Sequence, residues 1–89
     1  MTTSVLKAIR QDRLALSVGS AVALANERAI AEGVDPAASL VTISQETTAD
    51  GPCWGIHYGP RDYVHQRGGD LTIYVDANGE TIHRILRGQ

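Results

Sequence analysis

Phenylalanine is absent from this 89-residue chain, and cysteine, methionine and tryptophan occur once each. Aromatic residues make up 4%. Each scarcity excludes something. A single cysteine cannot close an internal disulfide, so packing must hold the fold, as expected in a reducing compartment. With so few rings, the core has to be assembled from Val, Ile, Leu and Ala, which bury less area per side chain. A chain of this length is one domain and buries only about two thirds of its unfolded surface. Homodimerisation is one ordinary route to further burial. Excess charge is lacking too. The net charge of −2 and pI of about 5.8 give no general attraction to phosphate backbones, so nucleic acid is not an expected partner. The opening "MTTSVLKAIRQDRLAL" is interrupted by Lys7, Arg10, Asp12 and Arg13, which leaves no signal-peptide core. No other run reads as a bilayer span. The expectation is a cytoplasmic protein without a membrane partner.

What is present divides into an α half and a β half. From Ser4 to Glu32 there is no proline, and Ala and Leu are abundant. Val18, Val22, Ala25 and Ala29 recur at helical spacing, Ala21 and Ile30 broaden that stripe, and Glu27, Arg28 and Glu32 lie largely off it. Gly33, followed by Asp35-Pro36, supplies a stop. The segment accommodates one helix or two. The preferred reading is two, a short one within residues 1–16 capped by Ser4 and a main one over 17–35 capped by Ser17.

The β half, residues 39–89, reads as four strands. "LVTISQE" sets Val41 and Ile43 against Thr42 and Ser44, with "TTADGP" as the following turn. "CWGIHY" sets Trp54, Ile56 and Tyr58 against Cys53, Gly55 and His57, and "LTIYV" sets Leu71, Ile73 and Val75 inward. "DANG" is a hairpin signal, since Asn78-Gly79 tolerates the positive φ of tight turns. "ETIHRIL" returns as the last strand, pairing Val75 with Ile82 across a two-residue turn or with Thr81 across a three-residue one. The fold class is therefore α+β, a helix covering one face of a four-stranded antiparallel meander.

Chemistry-bearing residues cluster in "PCWGIHYGPRDYVHQRGGD". Cys53 and His57 suggest a thiolate–imidazole pair, but four residues of strand span about 13 Å, too far to share a proton or a metal ion. The histidines match no zinc spacing, "RGGD" precedes a strand instead of opening a helix, and "DANGE" lacks the distant glutamate of a calcium loop. No catalytic, metal or cofactor site is assigned. What remains is the long connection over residues 59–70. Arg61, Tyr63 and Arg67 are residue types that anchor protein interfaces, with Asp62 and His65 orienting them. Arg84 and Arg87, with Arg61 and Arg67, suggest a basic edge; if the last strand is a sheet edge, they protect it from pairing.

The order of elements resembles small bacterial immunity-type domains of the YrhB/Imm35-like and NTF2-fold immunity groups over residues 17–89. Ala21 and Ala25 match their Ala-rich helix face, Trp54 the aromatic opening of a central strand, and Val75-Asp76 with Gly79-Glu80 the closing hairpin, here one residue shorter. PepSY-like domains end in similar hairpins. The resemblance implies a cystatin-like arrangement and a non-enzymatic protein that binds a partner protein stoichiometrically. A small-ligand pocket between helix and sheet is the alternative, and a homodimeric structural domain the third.

Overall fold

A computed structural model describes residues 12–61 and 70–88. One helix, α1 (Arg13–Ala31), precedes a single 3-10 turn at Pro36–Ala38 and four strands: β1 (Ser39–Thr48), β2 (Gly51–Pro60), β3 (Leu71–Asp76) and β4 (Ile82–Arg87). The sheet is an antiparallel meander in the order β1-β2-β3-β4, and α1 packs on one face of it. The α+β class is as expected.

The main helix begins four residues before the start expected at Ser17. Asp12 is the N-cap, its carboxylate accepting from the Ala15 N–H at 3.0 Å. Ser17 lies inside the helix, where its hydroxyl serves tertiary contacts instead of a cap. The short first segment expected in residues 1–16 falls mostly outside the described residues. By length and composition α1 is apolar enough to cross a membrane, which corrects the expectation that no run would qualify.

Ala21, Ala25 and Ala29 are fully buried, while Val18 and Val22 are only partly so. Ile30, expected on the stripe, is 64% exposed. Three methyl side chains in line let the helix approach the sheet closely. Beneath them lie Ile56 and Tyr58 of β2 and Leu71, Ile73 and Val75 of β3, all with no exposure. Each such side chain contributes about 1.5–3 kcal/mol by burial. The exposed Arg28–Glu32 pair, at 3.1 Å, is worth about 0.3–0.5 kcal/mol. Packing on the two central strands holds the fold.

The sheet lies in straight rows. On the helix side Ile43, Ile56, Ile73 and Ile85 align, flanked by Gln45, Trp54, Val75 and Ile82. The β1–β2 strands run on to Thr48 and Gly51, so their turn is only Ala49-Asp50, tighter than expected. Val75 does pair with Ile82. The turn joining them is longer than two residues, though: Asp76 N–H donates to Thr81 O at 2.9 Å and Gly79 N–H to Asp76 O at 2.9 Å. Gly79 alone takes positive φ there, and Asn78 does not. A bulge between Tyr74 and Val75 then offsets the ladder around His83.

That turn is latched to α1. Ser20 Oγ donates to Gly79 O at 2.7 Å, Ser17 Oγ donates to Ala77 O, and Trp54 Nε1 donates to Ser17 Oγ at 3.0 Å. On the other side of the helix, Tyr58 Oη donates to Asn26 Oδ1 at 2.6 Å. Burial pushes the Tyr58 phenol up to about 12. Tyr58→Phe is expected to cost about 1 kcal/mol at neutral pH, because Asn26 Oδ1 loses its donor. The raised pKa favours the folded state fully below the ordinary tyrosine value near 10, and that contribution drains away as pH rises towards 12. The stability gap between wild type and Tyr58→Phe should therefore narrow above about pH 10, within the interval up to about pH 12, in urea titrations. A gap that is constant or widens would show that the phenol is not withheld from water.

Candidate functional site

The face of the sheet opposite α1 carries the polar side chains that a strand alternation assigns to it. Leu40, Thr42, Ser44 and Glu46 come from β1, Cys53, Gly55, His57 and Gly59 from β2, Thr72 and Tyr74 from β3, and Arg84 and Leu86 from β4. Among the described residues no element covers this face. Three rows organise it. Thr42, His57, Thr72 and Leu86 stand in register; Ser44, Gly55, Tyr74 and Arg84 form the next row; Glu46, Cys53 and Asp76 form the third.

Each row has its own chemistry. His57 Nε2 lies 3.3 Å from Asp70 Oδ2, both side chains about one third exposed, so protonated His57 would form an ion pair at the margin. Gly55 has no side chain, and the Glu46 carboxylate, accepting from Ser44 Oγ at 2.8 Å, lies over the space left. Tyr74 and Arg84 stand directly opposite across β3 and β4. At the far end Asp76 turns its carboxylate back into its own hairpin, accepting from the Glu80 N–H at 2.6 Å and the Thr81 N–H at 2.8 Å. Burial works to raise its pKa, but the backbone donors of Thr81, Glu80 and Asn78, with His83 nearby, outweigh this and hold it below the ordinary aspartate value. Asp76 is therefore committed to the turn.

Cys53 is free and buried, and it lies four residues from His57 along the same strand. The sheet spacing keeps their side chains about 13 Å apart. Among the described residues no three of His, Cys, Asp and Glu converge.

Of the nominated contact residues, Arg61 is described and Asp62, Tyr63, His65 and Arg67 lie outside the described residues. Arg61 is exposed just beyond β2 and donates through Nε to Ser39 O at 3.1 Å, which places it at the β1 margin. Arg84 and Arg87 belong to β4, the opposite margin. The basic edge expected from Arg61 with Arg84 and Arg87 is thus split across the sheet. Arg87 instead pairs with Glu32 at the end of α1, at 3.1 Å. Residues that the sequence reading did not single out, Leu40, Tyr74 and Leu86, give the open face its apolar content, and the alternation that set Tyr74 outward was the available signal. Comparison with known protein families, with characterised proteins and with solved structures gives no match to this chain.

Proposed function

We propose that this chain is a non-enzymatic protein-binding domain, acting in the cytoplasm by stoichiometric association with a partner protein in the manner of an immunity or inhibitor-like protein. The observation that carries this reading is the open sheet face. It mixes Leu40 and Leu86, 53% and 46% exposed, with Tyr74, His57 and Arg84. The leucines stand on the two edge strands, with His57, Thr72 and Tyr74 between them on the central pair, and exposed apolar, aromatic and arginine side chains on one surface are the residue types that interfaces use. Arg61 stands at its β1 margin, where the chain enters residues 62–69.

The alternative, a small-ligand site, has one observation in its favour. A groove of about 510 Å3 runs between α1 and β1, lined by Val22, Ile30, Pro36, Ala37 and Val41, with Asn26 and Asp35 as its polar members. It lies beside the helix–sheet contact instead of within it, where Ala21, Ala25 and Ala29 meet the central strands.

The test is affinity capture from the source cells with wild type and with Tyr74→Ala/Arg84→Ala as baits, and Arg61→Ala separately. One protein retained at a fixed ratio by wild type and lost by the double variant is expected. Retention by all baits alike would place the contact elsewhere. Retention of nothing, together with thermal stabilisation by a small apolar ligand, would favour the groove.

A further inference from the structure

We propose that β1 is a homodimerisation edge, two copies pairing β1 to β1 antiparallel so that their sheets become one. This goes beyond the partner-binding reading and does not rest on it, because the pairing leaves the open face uncovered.

The ladder shows which backbone groups are spare. The bond from Asp76 N–H to Thr81 O puts the even-numbered residues of β3 on the β4 side. Alternation then gives its odd residues to β2, the odd residues of β2 to β1, and leaves the odd residues of β1 facing outward. The prolines agree. Pro52 and Pro60 are even members of β2 that face β3 beyond the Cys53–Tyr58 stretch it pairs, where no N–H is needed. Ser39 is already used, its N–H on Pro36 O and its C=O on Arg61. Val41, Ile43, Gln45 and Thr47 each bring one N–H and one C=O to the edge, and among the described residues no backbone group meets them.

The two edges of the sheet are built differently. β4 has six residues, a bulge at Tyr74/Val75, and Arg84 and Arg87, all devices that discourage strand addition. β1 has ten residues in unbroken register and contains no proline, lysine or arginine. Its one charge, Glu46, is turned onto the open face by Ser44. Val41 and Ile43, on the helix side, are 36% and 45% exposed.

A second copy is the occupant that fits, since an antiparallel strand edge is its own complement under a twofold axis normal to the sheet. Centring the axis at Ser44 uses every spare group: Val41 pairs with Thr47 of the other copy, and Ile43 with Gln45. Thr42 then meets Glu46, so no two carboxylates face each other. Both helices fall on one side and the two open faces join on the other. A single strand edge is a small interface, so association of micromolar order is expected.

The test is sedimentation velocity of the full chain from about 1 μM to about 1 mM, the range that brackets such a dimer, with native-state hydrogen exchange at both ends. The expected result is a doubling of mass with concentration, and amide protection at Val41, Ile43, Gln45 and Thr47 that rises with it. Gln45→Pro, which removes no bond within one copy, should abolish both while preserving the circular dichroism. Ile43→Lys serves if that variant does not fold. Ser44→Cys, which sits opposite itself, should crosslink on oxidation at least about tenfold faster than Thr42→Cys, since only a directly opposed pair meets disulfide geometry. A monomer throughout the range overturns the proposal. So does edge protection independent of concentration, which would mean that another part of the same chain covers β1, and so does a dimer indifferent to Gln45→Pro and Ile43→Lys.

Discussion

Replacing Gly79 by alanine is expected to destabilise the domain by about 3 kcal/mol, whereas Gly19→Ala is expected to stabilise it by about 0.5–1 kcal/mol. The same added methyl group meets opposite surroundings. Gly19 lies within α1, and a Cβ there has nothing within 4 Å, so alanine only improves helix propensity. Gly79 has φ of +75°, and its Cβ would stand 2.7 Å from Ser17 O, 2.8 Å from Ala21 N and 2.9 Å from Ser20 Cβ. Two of those three atoms are helix backbone, which cannot rotate aside as a side-chain end can. The left-handed conformation costs a non-glycine residue about 1–2 kcal/mol. Moving the turn off the helix also loses the Ser20 Oγ bond to Gly79 O and the Ser17 bond to Ala77 O, about 1 kcal/mol each. For a domain of this size the sum corresponds to a fall of about 15 °C in Tm, against a rise of a few degrees for Gly19→Ala. Thermal unfolding of both variants checks the pair. A Gly79→Ala protein melting with the wild type would mean that the turn does not rest on α1.

The sequence carried the faces of the elements well and their lateral positions poorly. "CWGIHY" and "LTIYV" alternate cleanly because both strands have one face under the helix, and Trp54, Ile56, Tyr58, Leu71, Ile73 and Val75 are all buried where that alternation placed them. Val41 and Ile43 alternate in the same way, yet they stay exposed. The reason is width. A helix about 10 Å across covers roughly two strands spaced about 4.8 Å apart, so residues on an edge strand share the inward face without sharing the cover. Periodicity reports which way a side chain points, and nothing local reports which strand lies under α1. The Ser17 cap failed for a related reason. Ser17 and Ser20 have the chemistry of caps, but their hydroxyls are used by Ala77 and Gly79, partners some sixty residues away. Asp12, the cap in use, lies between the two serines that the expectation chose. For the site, the outward set of Thr42, His57 and Tyr74 was legible from the alternation, while Arg84, two residues from the inward Ile82, reaches the same face through the bulge around His83. The split of Arg61 from Arg84 and Arg87 was not, because it depends on strand order.

The two isoleucines that the sequence placed on the inward surfaces of their elements should part company under substitution. Ile73 sits in the middle row of β3, flanked by Ile56 and Ile85 and fully buried in the core. Truncating it to alanine removes three carbons from a site whose neighbours are held by the ladders on both sides, so the space cannot collapse. The expected cost is about 3–4 kcal/mol. Against a total of roughly 5–15 kcal/mol for a small domain, that leaves a protein close to half unfolded under mild denaturant. Ile30 lies on α1 one residue beyond Ala29 and 64% exposed, at the rim of the groove beside Val41. Ile30→Ala gives up little burial and gains helix propensity, so its effect should stay within about 0.5 kcal/mol. Urea titrations of the two variants at a concentration well below any self-association supply the comparison. Equal losses would mean that α1 is rotated on the sheet so that Ile30 enters the core, and the Ala21–Ala25–Ala29 stripe would then not be the face on which the helix sits.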